Sequence, residues 1–164
     1  MNAVRTVLAL GSNLGESRST LADAVAALAD HPAMKLVAVS PVARTRPVGG
    51  PEGQPDYLNL VAEFETTLDA HSLLDHCHEV ENTHHRTREV RWGPRTLDVD
   101  IITYGDQRIS DDVLTVPHPR AAQRAFVLQP WAWMDPEAVL EGVPVAELAA
   151  RAADLPGLEL FEGE

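Results

Sequence analysis

A chain of 164 residues, 45% hydrophobic and 23% charged, is sized for one soluble domain, and none of its apolar runs approaches the ~20 residues that cross a bilayer. Its formal net charge of −12 speaks against a nucleic-acid partner, because affinity for phosphate backbones comes from clustered Lys and Arg. Cys77 is the only cysteine, so no intrachain disulfide is expected; the short N-terminal apolar run lacks a signal-peptide pattern, and the expected location is the cytoplasm.

The first element is a buried strand, Thr6 to Leu10, expected to stop at Gly11-Ser12-Asn13. Leu21, Val25 and Leu28 then recur at helical spacing behind Ser and Thr capping candidates. Leu36 to Ser40 is β-branched and extended. The stretch Arg46 to Pro55 holds three prolines and three glycines and reads as a loop. Tyr57 to Leu68 alternates cleanly: Leu58, Leu60, Ala62 and Phe64 on one face, Tyr57, Asn59, Glu63 and Glu65 on the other. Leu73, Cys77, Val80 and His84 form the stripe of a second amphipathic helix. From Arg95 to Tyr104 the period returns to two, with Leu97, Val99 and Ile101 facing one way and Asp98, Asp100 and Ile102 the other. Beyond Pro117-His118-Pro119, Arg120 to Trp131 reads as one helix, and Pro144 opens a last one through Arg151. The order β-α-β-β-α-β predicts an α+β sandwich over residues 1–164, a ferredoxin-like split β-α-β with a mainly antiparallel sheet covered by helices.

The chemistry concentrates late in the chain. Asp98 and Asp100 lie two apart on a strand, so both carboxylates leave one face with Cα atoms roughly 6.5–7 Å apart. Like charges that close are costly unless a cation sits between them, and a hard carboxylate pair suits Mg²⁺. An Asp-x-Asp on a solvated strand face is also common; its surroundings decide. Of 13 basic residues 12 are Arg, and Arg86, Arg88, Arg91 and Arg95 fall within ten positions of one another, whereas the segment after Arg124 carries eight acids against Arg151 alone. Metal ligands beside guanidinium groups are what a polyphosphate needs. There is no Walker loop. Gly11-Ser12-Asn13-Leu14-Gly15 follows a strand and precedes a helix, where backbone N–H groups can meet an anion or simply make a turn. Trp92 can stack on a flat ring or serve as core.

Four stretches carry a resemblance. Leu8-Ala9-Leu10-Gly11-Ser12-Asn13, Gln54-Pro55-Asp56-Tyr57-Leu58-Asn59, the run Arg91 to Ile101, and Leu114 to Arg120 with Arg124-Ala125-Phe126 resemble, in order, the 6-hydroxymethyl-7,8-dihydropterin pyrophosphokinase family. The resemblance implies transfer of the β,γ-diphosphate of ATP to the hydroxymethyl oxygen of the reduced pterin, with release of AMP. It places two Mg²⁺ on Asp98 and Asp100. It assigns Arg86, Arg88, Arg91 and Arg95 to a loop closing over the triphosphate. Glu81, Thr115, His118 and Arg124 fall at nucleotide-side positions. Asn13, Thr45, Val48, Tyr57, Asn59, Trp92 and Phe126, with Asp98, fall at pterin positions. A monomer is expected, with ATP and the pterin as its partners and neither nucleic acid nor membrane.

Two rival readings remain. A ferredoxin-like module could sense a nucleotide without turnover, although a carboxylate pair gains such a sensor nothing. A zinc site among His76, Cys77, His78, His84 and His85 is disfavoured by helical directions, which let only His78, Glu81 and His85 share a face.

Overall fold

A computed structural model of the chain describes residues 3–12, 17–45, 57–86, 97–153, 155 and 158–160, with the side chains of 17, 18, 57 and 84–86 excepted. In chain order the elements are β1 (Val4–Ser12), α1 (Ser17–Ala29), β2 (Met34–Val39), β3 (Ala43–Thr45), β4 (Tyr57–Thr66), α2 (Ala70–Arg86) and β5 (Leu97–Tyr104). Two short strands follow, β6 (Ile109–Ser110) and β7 (Thr115–Val116), then a 3₁₀ turn η1 (Ala121–Gln123) and α3 (Ala125–Met134). The last elements are β8 (Val139–Leu140), β9 (Val143–Pro144), α4 (Val145–Arg151) and β10 (Leu158–Leu160).

The main sheet runs β10-β3-β4-β1-β5, with β2 also on β4, and every pairing in it is antiparallel. β2 and β3 occupy successive halves of β4, from Met34 opposite Thr66 to Thr45 opposite Tyr57. They act as one strand interrupted at Ser40-Pro41-Val42. Pro41 has no N–H to give the ladder; instead the Ser40 hydroxyl accepts the Val61 N–H at 2.9 Å while the Ser40 N–H donates to the Val61 carbonyl at 2.9 Å. With that strand counted once, β1 lies between β4 and β5 and the β-α-β-β-α-β order closes into the ferredoxin-like split β-α-β sandwich.

Period-two alternation in β1, β4 and β5 divides the core in two. Leu8, Leu10, Leu60, Phe64, Val99 and Ile101 face α1 and α2, whose Leu21, Leu28, Leu73 and Cys77 are fully buried against them. Val7, Ala9, Val61 and Ile102 face the other way, beneath Val127, Leu128 and Trp131 of α3 and Val145 and Ala149 of α4. Helices therefore cover both faces. Among the described residues no helix is long and apolar enough to cross a membrane.

Three local expectations change. β1 does not stop before Gly11 but continues through it to Ser12, paired on both sides. The single helix expected over Arg120 to Trp131 is broken: η1 ends at Arg124, whose extended backbone (φ −112°, ψ 109°) separates it from α3. Apolar spacing cannot detect that break, because Ala121, Ala125 and Leu128 are buried in a pattern that would suit a continuous helix. Finally, β10 adds a strand beside β3 that three alternating residues are too few to announce.

Candidate active site

On the α3/α4 side of the sheet, register sets the side chains in rows. Gly11 of β1 lies between Asn59 of β4 and Asp98 of β5; one row on, Ala9 lies between Val61 and Asp100. Helices α3 and α4 cover the Val7, Val61 and Ile102 end of this face and leave the Gly11 row bare. A cavity of about 230 Å³ opens there, floored by Ala9 and Gly11 and walled by Thr45, Asn59, Asp98, Asp100, Arg124 and Phe126. The floor is flat because the residues on β1 shrink from Val7 to Ala9 to Gly11 as the strand leaves the helices. Asn59 is buried at 6% exposure, and its side-chain amide has no hydrogen-bond partner among the described residues. A buried amide facing a cavity without a partner is what a polar ligand edge satisfies.

The break before α3 aims the fourth wall. Arg124 sits at the N-cap of that helix, its carbonyl accepting the Val127 and Leu128 N–H groups at 3.0 Å each. Its guanidinium stands 5.4 Å from the centroid of the Phe126 ring. A continuous helix would have carried Arg124 and Phe126 in other directions.

A second cavity of about 250 Å³ lies across the outer edge of β5, between α2 and the β6–β7 hairpin. His78 and Glu81 line it from α2, Thr115 and His118 from the far side, and Asp100 from β5. The Glu81 carboxylate accepts the Val99 N–H at 2.7 Å. Burial raises its pKa, the Val99 hydrogen bond opposing. The His118 N–H donates to the Ile102 carbonyl at 2.9 Å, which ties its loop to the sheet edge. His118 Nδ1 accepts the Arg120 N–H at 3.2 Å, so in the neutral ring Nε2 carries the proton. Burial lowers the His118 pKa, and Asp100 opposes that. The hairpin is held by Asp111, which accepts the Val113 and Leu114 N–H groups and meets His71 at 2.8 Å on α2.

Asp100 lines both cavities. Burial raises the pKa of its carboxyl first; His118 and Arg124 pull it down and Asp98 pushes it up. A carboxylate in that position, beside a second one on the same strand face, gains from a hard cation. Among the described residues no three His, Cys, Asp or Glu side chains are arranged to hold a metal. The donor set at Asp98 and Asp100 is thus two carboxylates, which fits Mg²⁺, an ion that completes its shell with phosphate and water.

Thr45, Asn59, Asp98, Asp100, Arg124 and Phe126 come together in the first cavity; Glu81, Asp100, Thr115 and His118 do so in the second. Arg124, expected on the nucleotide side, stands in the first cavity beside both aspartates. Tyr57 and Arg86 are described by backbone alone: Tyr57 pairs with Thr45, and Arg86 ends α2. Asn13, Val48, Arg88, Arg91, Trp92 and Arg95 lie outside the described residues, as does the side chain of His85. Sequence reasoning missed Ala9 and read Gly11 only as part of a turn or anion loop, although the falling size at positions 7, 9 and 11 is visible in the sequence.

Residues 7–136 match the 7,8-dihydro-6-hydroxymethylpterin-pyrophosphokinase (HPPK) family. The 2-amino-4-hydroxy-6-hydroxymethyldihydropteridine pyrophosphokinase of Bacillus subtilis is 46% identical over 125 residues, which cover 76% of this chain and 74% of that protein. The enzyme of the same name from Pseudomonas aeruginosa is 42% identical over 160 residues, covering 97% of this chain and 98% of its own. In fold the chain is similar to a crystal structure of HPPK-DHPS in complex with substrates, with a TM-score of 0.72 at 11% identity; the match covers 92% of this chain and 43% of that longer one. The chain belongs to the 7,8-dihydro-6-hydroxymethylpterin-pyrophosphokinase family.

Proposed function

We propose that the chain, as a single domain, transfers the β,γ-diphosphate of ATP to the hydroxymethyl group of 6-hydroxymethyl-7,8-dihydropterin, giving the pterin diphosphate and AMP in tetrahydrofolate synthesis. The observation that carries this reading is Asp100, shared by an aromatic-walled cavity, whose Asn59 amide has no partner among the described residues, and a second cavity across the strand edge. Two substrates must meet where one carboxylate serves both.

The pterin occupies the first cavity. Its flat ring lies over the Ala9–Gly11 floor against Phe126, and its polar edge satisfies the Asn59 amide, with Thr45 beside it. The nucleotide occupies the second, where Thr115 and His118 Nε2–H offer donors to anionic oxygens. Asp98 and Asp100 would hold Mg²⁺, two ions by family resemblance, which when bound neutralises charge on the triphosphate. Arg124, with Arg86, Arg88, Arg91 and Arg95, supplies the remaining positive charge. The hydroxymethyl oxygen bonds to the β-phosphorus as the bond from the α,β-bridging oxygen to that phosphorus breaks; AMP leaves with that oxygen, and the hydroxyl proton passes to solvent. Positioning of the two substrates supplies most of the acceleration such a step needs. The chain is read as a monomer that works in the cytoplasm.

The test is to supply ATP, Mg²⁺ and the reduced hydroxymethylpterin and to separate the nucleotide products. AMP in step with pterin diphosphate is expected. ADP would mean single-phosphoryl transfer and would overturn the assignment; no product at all would favour a sensing module.

A further inference from the structure

Among the described residues β5 is the edge of the sheet, and it bears both aspartates. On its inner side it is held by β1, with Leu97, Asp98, Val99 and Asp100 opposite Ser12, Gly11, Leu10 and Ala9. On its outer side the Val99 N–H, between the two carboxylates, faces the second cavity, and its partner there is Glu81. Glu81 reaches it because it lies one helical turn beyond Cys77, which is fully buried on the stripe that packs α2 against the sheet. The contact falls only two residues into the strand, where an edge frays most easily and where two like charges on one face push its backbone apart.

We infer that Glu81 is a positioning residue: its carboxylate clamps the Val99 peptide and thereby fixes the spacing of Asp98 and Asp100, rather than acting by its own contact with the nucleotide. The role rests on Asp98 and Asp100 as the metal-holding pair. A charge-assisted bond of 2.7 Å to a backbone N–H is among the stronger hydrogen bonds a protein makes, and its acceptor need not be charged to hold the strand. The two conservative variants therefore separate. Glu81→Gln keeps an acceptor for Val99 and removes the charge; Glu81→Ala removes both.

The test pairs amide hydrogen exchange on the metal-free protein with steady-state kinetics. Loss of the bond in Glu81→Ala should speed exchange at Val99 by roughly tenfold or more while the Leu8 and Ala9 amides stay protected. The same variant should need more Mg²⁺ for half-maximal rate and lose about tenfold in kcat, its KM for the pterin unchanged. Glu81→Gln, which keeps an acceptor, should keep Val99 exchange slow and need less Mg²⁺ than Glu81→Ala for half-maximal rate. Unchanged Val99 exchange in Glu81→Ala would overturn the clamp. So would a shared rise in KM for ATP in both variants at an unaltered Mg²⁺ requirement, which marks a direct nucleotide contact. A wild-type protein that forms no AMP would defeat the enzymatic reading instead, and the exchange measurement would still decide whether Glu81 holds Val99.

Discussion

At the scale of single residues, the site concentrates unfavourable arrangements that substrates relieve. Asp98 and Asp100 place like charges on one face of one strand, and Asp100 does so half-buried. Asp98→Ala or Asp100→Ala should lower kcat by at least about a hundredfold, because the triphosphate loses its charge partner; near-normal turnover in either would refute the metal-site assignment. Asp100→Ala should be the worse of the two, since it opens the wall common to both cavities. Asn59 presents a buried amide without a partner among the described residues, a cost the free protein carries for the sake of its ligand. Asn59→Leu should therefore raise the unfolding free energy, by about 1 kcal/mol, while abolishing pterin binding. A thermal melt and a pterin titration of the one variant check both halves. A variant that is both less stable and still able to bind would show the amide to be structural.

At the scale of elements, interruptions matter as much as regular runs. The β2–β3 strand is broken at Pro41, and Ser40 repairs the break by giving its hydroxyl to Val61 in place of a ladder carbonyl. Ser40→Ala leaves the Val61 N–H buried and unpaired, which should cost about 1–3 kcal/mol in urea unfolding with kcat unchanged, since Ser40 touches neither cavity. A loss below a few tenths of a kcal/mol would mean that water or a shifted strand replaces the hydroxyl. The break at Arg124 does the opposite work. There the backbone turns extended for one residue, and that turn presents Arg124 and Phe126 to the cavity instead of to α4.

At the scale of the whole molecule, what the sequence makes legible is what period and spacing encode. Leu97, Val99 and Ile101 against Asp98, Asp100 and Ile102 is a two-residue alternation, and the structure sorts those side chains onto the two faces that it implies. Three things were hidden. Glycine is a turn signal in a linear reading, so Gly11 marks the expected end of β1; only the register with Asn59 and Asp98 reveals it as a floor. The hairpins β6–β7 and β8–β9 have two-residue strands, too short for any period to register. The coverage of the second face by α3 and α4 depends on tertiary packing that no local pattern fixes, and with it goes the position of the cavity. The central place of β1 has a further meaning for how the protein is made. Thr6 needs Phe64 on one side and Tyr104 on the other, so a strand made well before β4 and β5 is not fully paired until both have followed it. At ordinary synthesis rates it waits on the order of ten seconds for β5, with unpaired backbone N–H and C=O groups open to other chains. Glycine at position 11, a poor strand former, shortens the apolar part of that nascent strand, so a residue of the cavity floor should also lower the risk of mispairing during translation.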